Sequence, residues 1–148
     1  MAAGAFTVLN IAKLKMLDGT HDLDTHVFKM ALTTSAQALD ATFAGTSGNA
    51  RYSDLTAQVA NGNGYTTGGK TLVMSVGRSG GTVTVDCDDQ AWTSATFSAK
   101  YAVIYNDTAA NKDLLCVVDL ETGVGTGLSP SNGTLSVTIN ASGIFTLS

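Results

Sequence analysis

From Leu72 onward, short β-branched runs alternate with turns rich in glycine, asparagine or serine, and this pattern limits the possible folds more than any other feature of the chain. The runs are LVMSV at 72–76, TVTVD at 82–86, ATFSAKYAVIY at 95–105, LLCVVDL at 114–120, TLSVTIN at 134–140 and IFTL at 144–147. They have the composition of strands, and the short links between them favour antiparallel neighbours. The expected architecture is mainly β: an antiparallel β-sandwich or jelly-roll-like single domain. In the run 95–105, Phe97, Ala99, Tyr101, Val103 and Tyr105 alternate with Thr96, Ser98, Lys100, Ala102 and Ile104, which predicts one core-facing side. SGG at 79–81 reads as a hairpin tip, and 123–134, which holds the only proline, Pro130, as a longer one.

The first half is different in texture. Phe6, Leu9, Lys13 and Leu17 are spaced by three and four, and Gly19 stands where a helix needs a left-handed cap, so 6–17 is predicted as an amphipathic helix. Residues 26–32 alternate like a strand, 33–50 read as a polar loop, and 52–59 as a short second helix capped by Ser53. This divides the chain into an arm and helix, 1–20, and a sandwich domain, 21–148. A length of 148 residues suits one domain with a real core.

Composition removes several classes of function. With 44% hydrophobic and 14% charged residues the chain reads as globular, and its apolar runs are too short to span a bilayer, so no membrane partner is expected. The start, MAAGAFTVLN, lacks the positive charge and cleavage site of a secretory signal, which predicts that the protein stays where it is made. A net charge of −4 with scattered basic residues argues against direct nucleic-acid binding. Asn106, Asn132 and Asn140 begin Asn-x-Ser/Thr triplets but read as turn residues.

One stretch imitates chemistry. GYTTGGKT at 64–71 satisfies the letters of a nucleotide phosphate loop, and LLCVVD at 114–119 has the look of its metal-holding strand. A phosphate loop requires a buried strand before it and a helix after it, whose N-terminal amides meet the phosphates. Here QVANGN precedes and β-branched LVMSV follows, so the glycines are read as a double turn, with Lys70 facing water and Tyr65 as an anchoring ring packed on the domain or on a neighbouring subunit. DGTHDLDTH at 18–26 gathers Asp18, His21, Asp22, Asp24 and His26, but two histidines five apart at a helix end rarely face one point, and the segment reads as a solvated connector rather than a metal site. Asp86, Asp88 and Asp89 lack the glycine and terminal glutamate of a calcium loop and read as an exposed strand end. Cys87 and Cys116 lie in β-patterned runs and are read as buried thiols rather than a bridge. With no nucleophile elbow and Glu121 the only glutamate, no catalytic, cofactor-binding or metal-binding residue is assigned.

The order of GTHDLDTHVFKMAL, YSDLTAQVANGNGYTTGGKTL, Trp92 followed by AKYAVIYND, and LLCVVDLETG resembles a family of small virion proteins of tailed bacteriophages, across most of the chain. The most specific blocks are YSDL followed by NGNGYTTGG, the IYND turn at 104–107 and the VDL strand end. The resemblance implies a non-enzymatic structural protein, made in the bacterial cytoplasm and carried on the capsid exterior as a decoration or cement protein that bridges major capsid subunits. The expected partners are the major capsid protein and further copies of the chain, as a homotrimer at capsid symmetry positions. Phe6, Leu9, Leu17 and Tyr65 are the candidate capsid or subunit contacts; the competing reading packs the N-terminal helix on its own sandwich. The alternative function is a head-fibre or tail module that binds a receptor or carbohydrate, with Trp92 and tyrosines as stacking platforms beside the 123–134 tip.

Overall fold

A computed structural model describes residues 5–43, 50–122 and 125–148. Along them run β1 (Thr7–Val8), α1 (Asn10–Leu17), β2 (Phe28–Thr33), a 3-10 turn at Tyr52–Asp54, β3 (Lys70–Thr71), β4 (Met74–Ser79), β5 (Thr82–Cys87), β6 (Gln90–Ala95), β7 (Tyr101–Asn106), β8 (Leu114–Asp119), β9 (Gly133–Val137) and β10 (Phe145–Leu147). The strands pair antiparallel in three sheets, ordered β1-β8-β7-β2-β3, β10-β5-β4 and β6-β9. Cys87, Trp92, Leu135, Val137 and Ile144, from or beside the smaller sheets, share one core with Met30, Ile104 and Cys116 of the large sheet. The fold is the mainly β antiparallel sandwich that the spacing of the runs predicts.

The centre of the large sheet is buried on both faces, not on one. Register places Met30, Ile104 and Cys116 side by side on one face, and Ala31, Val103 and Val117 on the other. All six are buried. The second face is covered by the excursion between β2 and β3: the Tyr52 ring lies 4.6 Å from that of Tyr105, and the Tyr105 hydroxyl donates to the Gly68 carbonyl at 2.9 Å. A strand covered on both sides needs no polar alternation, which accounts for the unbroken apolar run of β8. Ile104 and Leu115, fully buried, each contribute roughly 1.5–3 kcal/mol relative to exposure.

Four departures from the sequence pattern have a clear physical cause. Helix α1 starts at Asn10 rather than Phe6, because Thr7 and Val8 pair with Val117 and Cys116 and the Leu9 N–H continues the ladder to the Leu115 carbonyl at 3.1 Å. Its end is as expected, with Gly19 at φ +80. The second predicted helix, 52–59, is only the 3-10 turn. Asp54 rather than Ser53 caps it, accepting the Arg51 N–H at 3.0 Å, and the chain then extends so that the Val59 N–H reaches the Leu32 carbonyl at 2.9 Å. The run 72–76 becomes strand only at Met74, because the Leu72 N–H is drawn to the Phe28 carbonyl at 2.9 Å and its side chain into the core. The run 95–105 is split: β6 ends at Ala95, with Ser94 at φ +52, and the chain changes sheet before β7 begins at Tyr101.

Candidate functional site

The glycine block that imitates a phosphate loop is a pair of reversals. Gly62 and Tyr65 exchange backbone hydrogen bonds at 2.8 and 2.9 Å around Asn63 and Gly64, both at positive φ, which is the asparagine-glycine hairpin turn. Gly68 and Gly69 make the second reversal, and Gly69 lies so close to the Met30 carbonyl that no side chain fits there. The chain then enters β3 against β2, not a helix. Lys70 is exposed, bonds the Ala91 carbonyl and sits 5.6 Å from the centroid of the Trp92 ring, a cation over an aromatic face.

The carboxylates of the acidic groups are hydrogen-bonded to the chain itself. Asp88 accepts the Val73 N–H at 2.7 Å and the Gln90 side chain at 2.8 Å, while Asp89 accepts the Ile139 N–H and Asp86 the Cys87 N–H, both at 2.8 Å. They fasten the loops around β5 and β6, a role that carried no sequence signal beyond the residues themselves. Asp18 accepts the Thr20 N–H at 2.9 Å, and Asp22 accepts those of Asp24 at 3.1 Å and Thr25 at 3.0 Å, the self-bonded turns typical of aspartate. No group of three or more His, Cys, Asp or Glu among the described residues is placed to hold a metal ion.

The two histidines of that connector do share one point, contrary to the expectation from their spacing. His21 is buried and His26 half-buried, and the Nδ1 atoms of both face the side-chain nitrogen of Asn106, at 3.3 and 2.9 Å. Asn106 lies in the IYND block; only the fold connects it with the connector. Both cysteines are free and buried. Burial, and then the Asp88, Asp86 and Asp89 carboxylates, push the Cys87 thiol up to about 12, and burial raises Cys116 well above its ordinary value.

A comparison with known protein families, curated proteins and solved structures returns no match.

The proposed contact residues fall in different places. Leu9 is fully buried in the protein's own core and is not available to a partner. Tyr65 is likewise enclosed; its hydroxyl accepts the Leu32 N–H at 3.1 Å, its ring meets Phe97 at 5.7 Å, and burial raises its phenol to about 12. Leu17 is 87% exposed. Phe6 is half-buried and lines a depression of about 300 Å³ with Ile144 and Phe145. Trp92 is buried and cannot serve as an open stacking platform. Of the 123–134 tip, Gly123 and Val124 lie outside the described residues; Leu128 and Ala99 bond each other's backbone, which folds the rest onto the body.

One apolar surface emerges that the sequence reading did not single out. Register puts Met74 with Cys87, Val76 with Val85 and Phe145, and Arg78 with Val83 and Leu147 on one face of the β10-β5-β4 sheet. That face begins buried at Cys87 and Val85 and runs outward until Val76 is 41% and Leu147 55% exposed. β4 and β10 are its edge strands. No helix among the described residues is long and apolar enough to cross a membrane.

Proposed function

We propose that this chain is a structural protein of a bacteriophage particle, a decoration or cement protein on the capsid exterior that bridges neighbouring major capsid subunits as a homotrimer and catalyses nothing. The observation that carries the reading is the apolar face that runs from the core of the β10-β5-β4 sheet out to Val76 and Leu147, next to the depression at Phe6. The resemblance of the YSDL, NGNGYTTGG and IYND blocks to phage virion proteins supplies the particle. A cement protein acts by covering area on more than one neighbour, so that disruption must break many modest contacts at once. With Val76 41% and Leu147 55% exposed, covering what remains of each adds roughly 0.5–1.5 kcal/mol before ordering costs.

The test is reconstitution. Purified protein is added to phage heads that lack it, its position is read by electron microscopy, and head survival on heating is measured. Binding to the head exterior with raised survival supports the proposal. Val76→Asp with Leu147→Asp is expected to abolish binding while lowering the melting temperature of the free protein by only a few degrees, since both side chains are partly exposed on edge strands. Attachment only at fibres or tail, or glycan binding without head binding, refutes it.

A further inference from the structure

Asn106, at the end of β7, is fully buried and oriented by its own backbone surroundings. Its side-chain oxygen accepts the N–H groups of Thr108 and Ala109, both at 3.1 Å. Those donors can only face an oxygen, so the amide nitrogen must point the other way. There it meets the Thr20 carbonyl at 3.0 Å, His26 Nδ1 at 2.9 Å and His21 Nδ1 at 3.3 Å. The remaining nitrogen of His21, Nε2, lies 3.3 Å from the Leu114 carbonyl. A carbonyl only accepts, so Nε2 carries the hydrogen and Nδ1 presents a lone pair to Asn106. His26 Nδ1 faces the same amide, whose two hydrogens serve the shorter contacts to the Thr20 carbonyl and His26 first, so that the longer one to His21 is a shared bond.

The arrangement fits a neutral His21 and rejects a charged one. A proton added at His21 Nδ1 would set N–H against N–H, with no lone pair between them. We propose that His21 and Asn106, with His26 on the same amide, form an acid-sensitive latch, which holds the 18–27 connector against the end of β7 at neutral pH and releases it when His21 gains a proton.

The surroundings bear on the direction. Burial is the largest influence on His21 and holds it below the ordinary histidine value; the Leu114 carbonyl, Asp113 and Asp18 act in the opposite sense, and Lys15 with the burial. The Phe28 ring packs 5.9 Å from His21, and Asp22 is the carboxylate that interacts with His26. With the folded value of His21 below the unfolded one, its contribution is complete above the unfolded value of about 6.5 and is lost as pH falls through the folded value. Release also frees the bonds that Val27 makes with Asp107 and Thr108, at 2.8 and 2.9 Å. Because the connector joins α1 to β2, opening loosens the attachment of the helix and leaves the sandwich closed.

The experiment uses the full chain labelled at histidine nitrogen, with amide exchange followed at about pH 7.5 and about pH 5. Expected at the higher pH is a protonated Nε2 and a bare Nδ1 in His21. On acidification, after correction for intrinsic rates, exchange at Val27 and Asp107 rises about tenfold while Val103 and Ile104 are unchanged. Asn106→Asp keeps the bonds from Thr108 and Ala109 but sets a carboxylate oxygen against the Thr20 carbonyl and His21, so it should loosen the connector at the higher pH and invert the response, with greater protection in acid. A proton on His21 Nδ1 at the higher pH, or wild-type exchange indifferent to acid, overturns the latch. So does an Asn106→Asp variant with the wild-type response; if that variant does not fold, the two wild-type measurements decide.

Discussion

Gly62 and Gly64 stand two residues apart in one hairpin turn, at φ +109 and +90, and substituting each with alanine separates two reasons for a glycine. Both variants force a side chain into backbone that L residues avoid, at about 1–2 kcal/mol. At Gly62 an added Cβ meets nothing within 4 Å. At Gly64 it would stand 2.7 Å from the carbonyl oxygens of both Thr93 and Ser94, which are backbone and cannot swing aside. The turn must then part from the end of β6 and lose the bond from the Thr96 N–H to the Asn63 carbonyl, now 2.9 Å. Such overpacking costs about 1–3 kcal/mol. Gly62→Ala should therefore lower stability by about 1–2 kcal/mol and Gly64→Ala by roughly 2–5 kcal/mol. Urea unfolding gives both numbers, with an unchanged slope showing that the surface exposed on unfolding is the same and the midpoint shift is a change in stability. If the two variants lose the same amount, within about 0.5 kcal/mol, close approach is not what fixes the second glycine.

Two further outcomes are expected. Neither cysteine should react with a thiol reagent in the native protein at neutral pH, and both should react after unfolding, since burial suppresses the Cys87 and Cys116 thiolates; a rapid native reaction would refute this. Lys112 and then Lys29, at 2.9 Å, hold the Asp107 carboxyl below its ordinary value, so their contribution is present above about pH 4 and is lost as pH falls through the folded value. Asp107→Asn should flatten the acid limb of a stability profile measured by urea midpoint, and an unaltered limb would show that the ion pairs are neutralised by solvent.

The parts of the fold legible in the sequence are those where one physical signal acts alone. The hairpin tip at Gly80 and the helix stop at Gly19 were readable because positive φ has few tenants, and both glycines adopt it. Strand β8 was readable because its five apolar residues leave no other role. The split at Ser94 was not, because a left-handed serine has no distinctive neighbours and the change of sheet is decided by pairing partners remote in sequence. The meeting of His21, His26 and Asn106 was invisible for the same reason. Helical periodicity at Phe6 was real but lost to a sheet edge at β8 that only the assembled fold provides.

The polar groups that suggested chemistry are turned to the protein's own use. Lys70 lies over Trp92, Asp88 and Asp89 hold backbone amides, the cysteines are enclosed, and the connector histidines accept from Asn106. Among the exposed large apolar side chains, Leu14 and Leu17 stand on α1, and Val76 and Leu147 on the face of the β10-β5-β4 sheet. The two surfaces differ in what a partner would meet. Leu14 and Leu17 belong to a helix whose outward side also presents Lys13, and a few scattered apolar side chains are ordinary on any protein. Val76 stands in a row with Val85 and Phe145, and Leu147 in the next with Val83 and Arg78, so the face is a paired sheet with one charge at its outer end. Docking there orders little that is not already ordered, which keeps the entropic cost of association low. For the proposed capsid role, a face already built into a sheet would suit a contact better than the arm does.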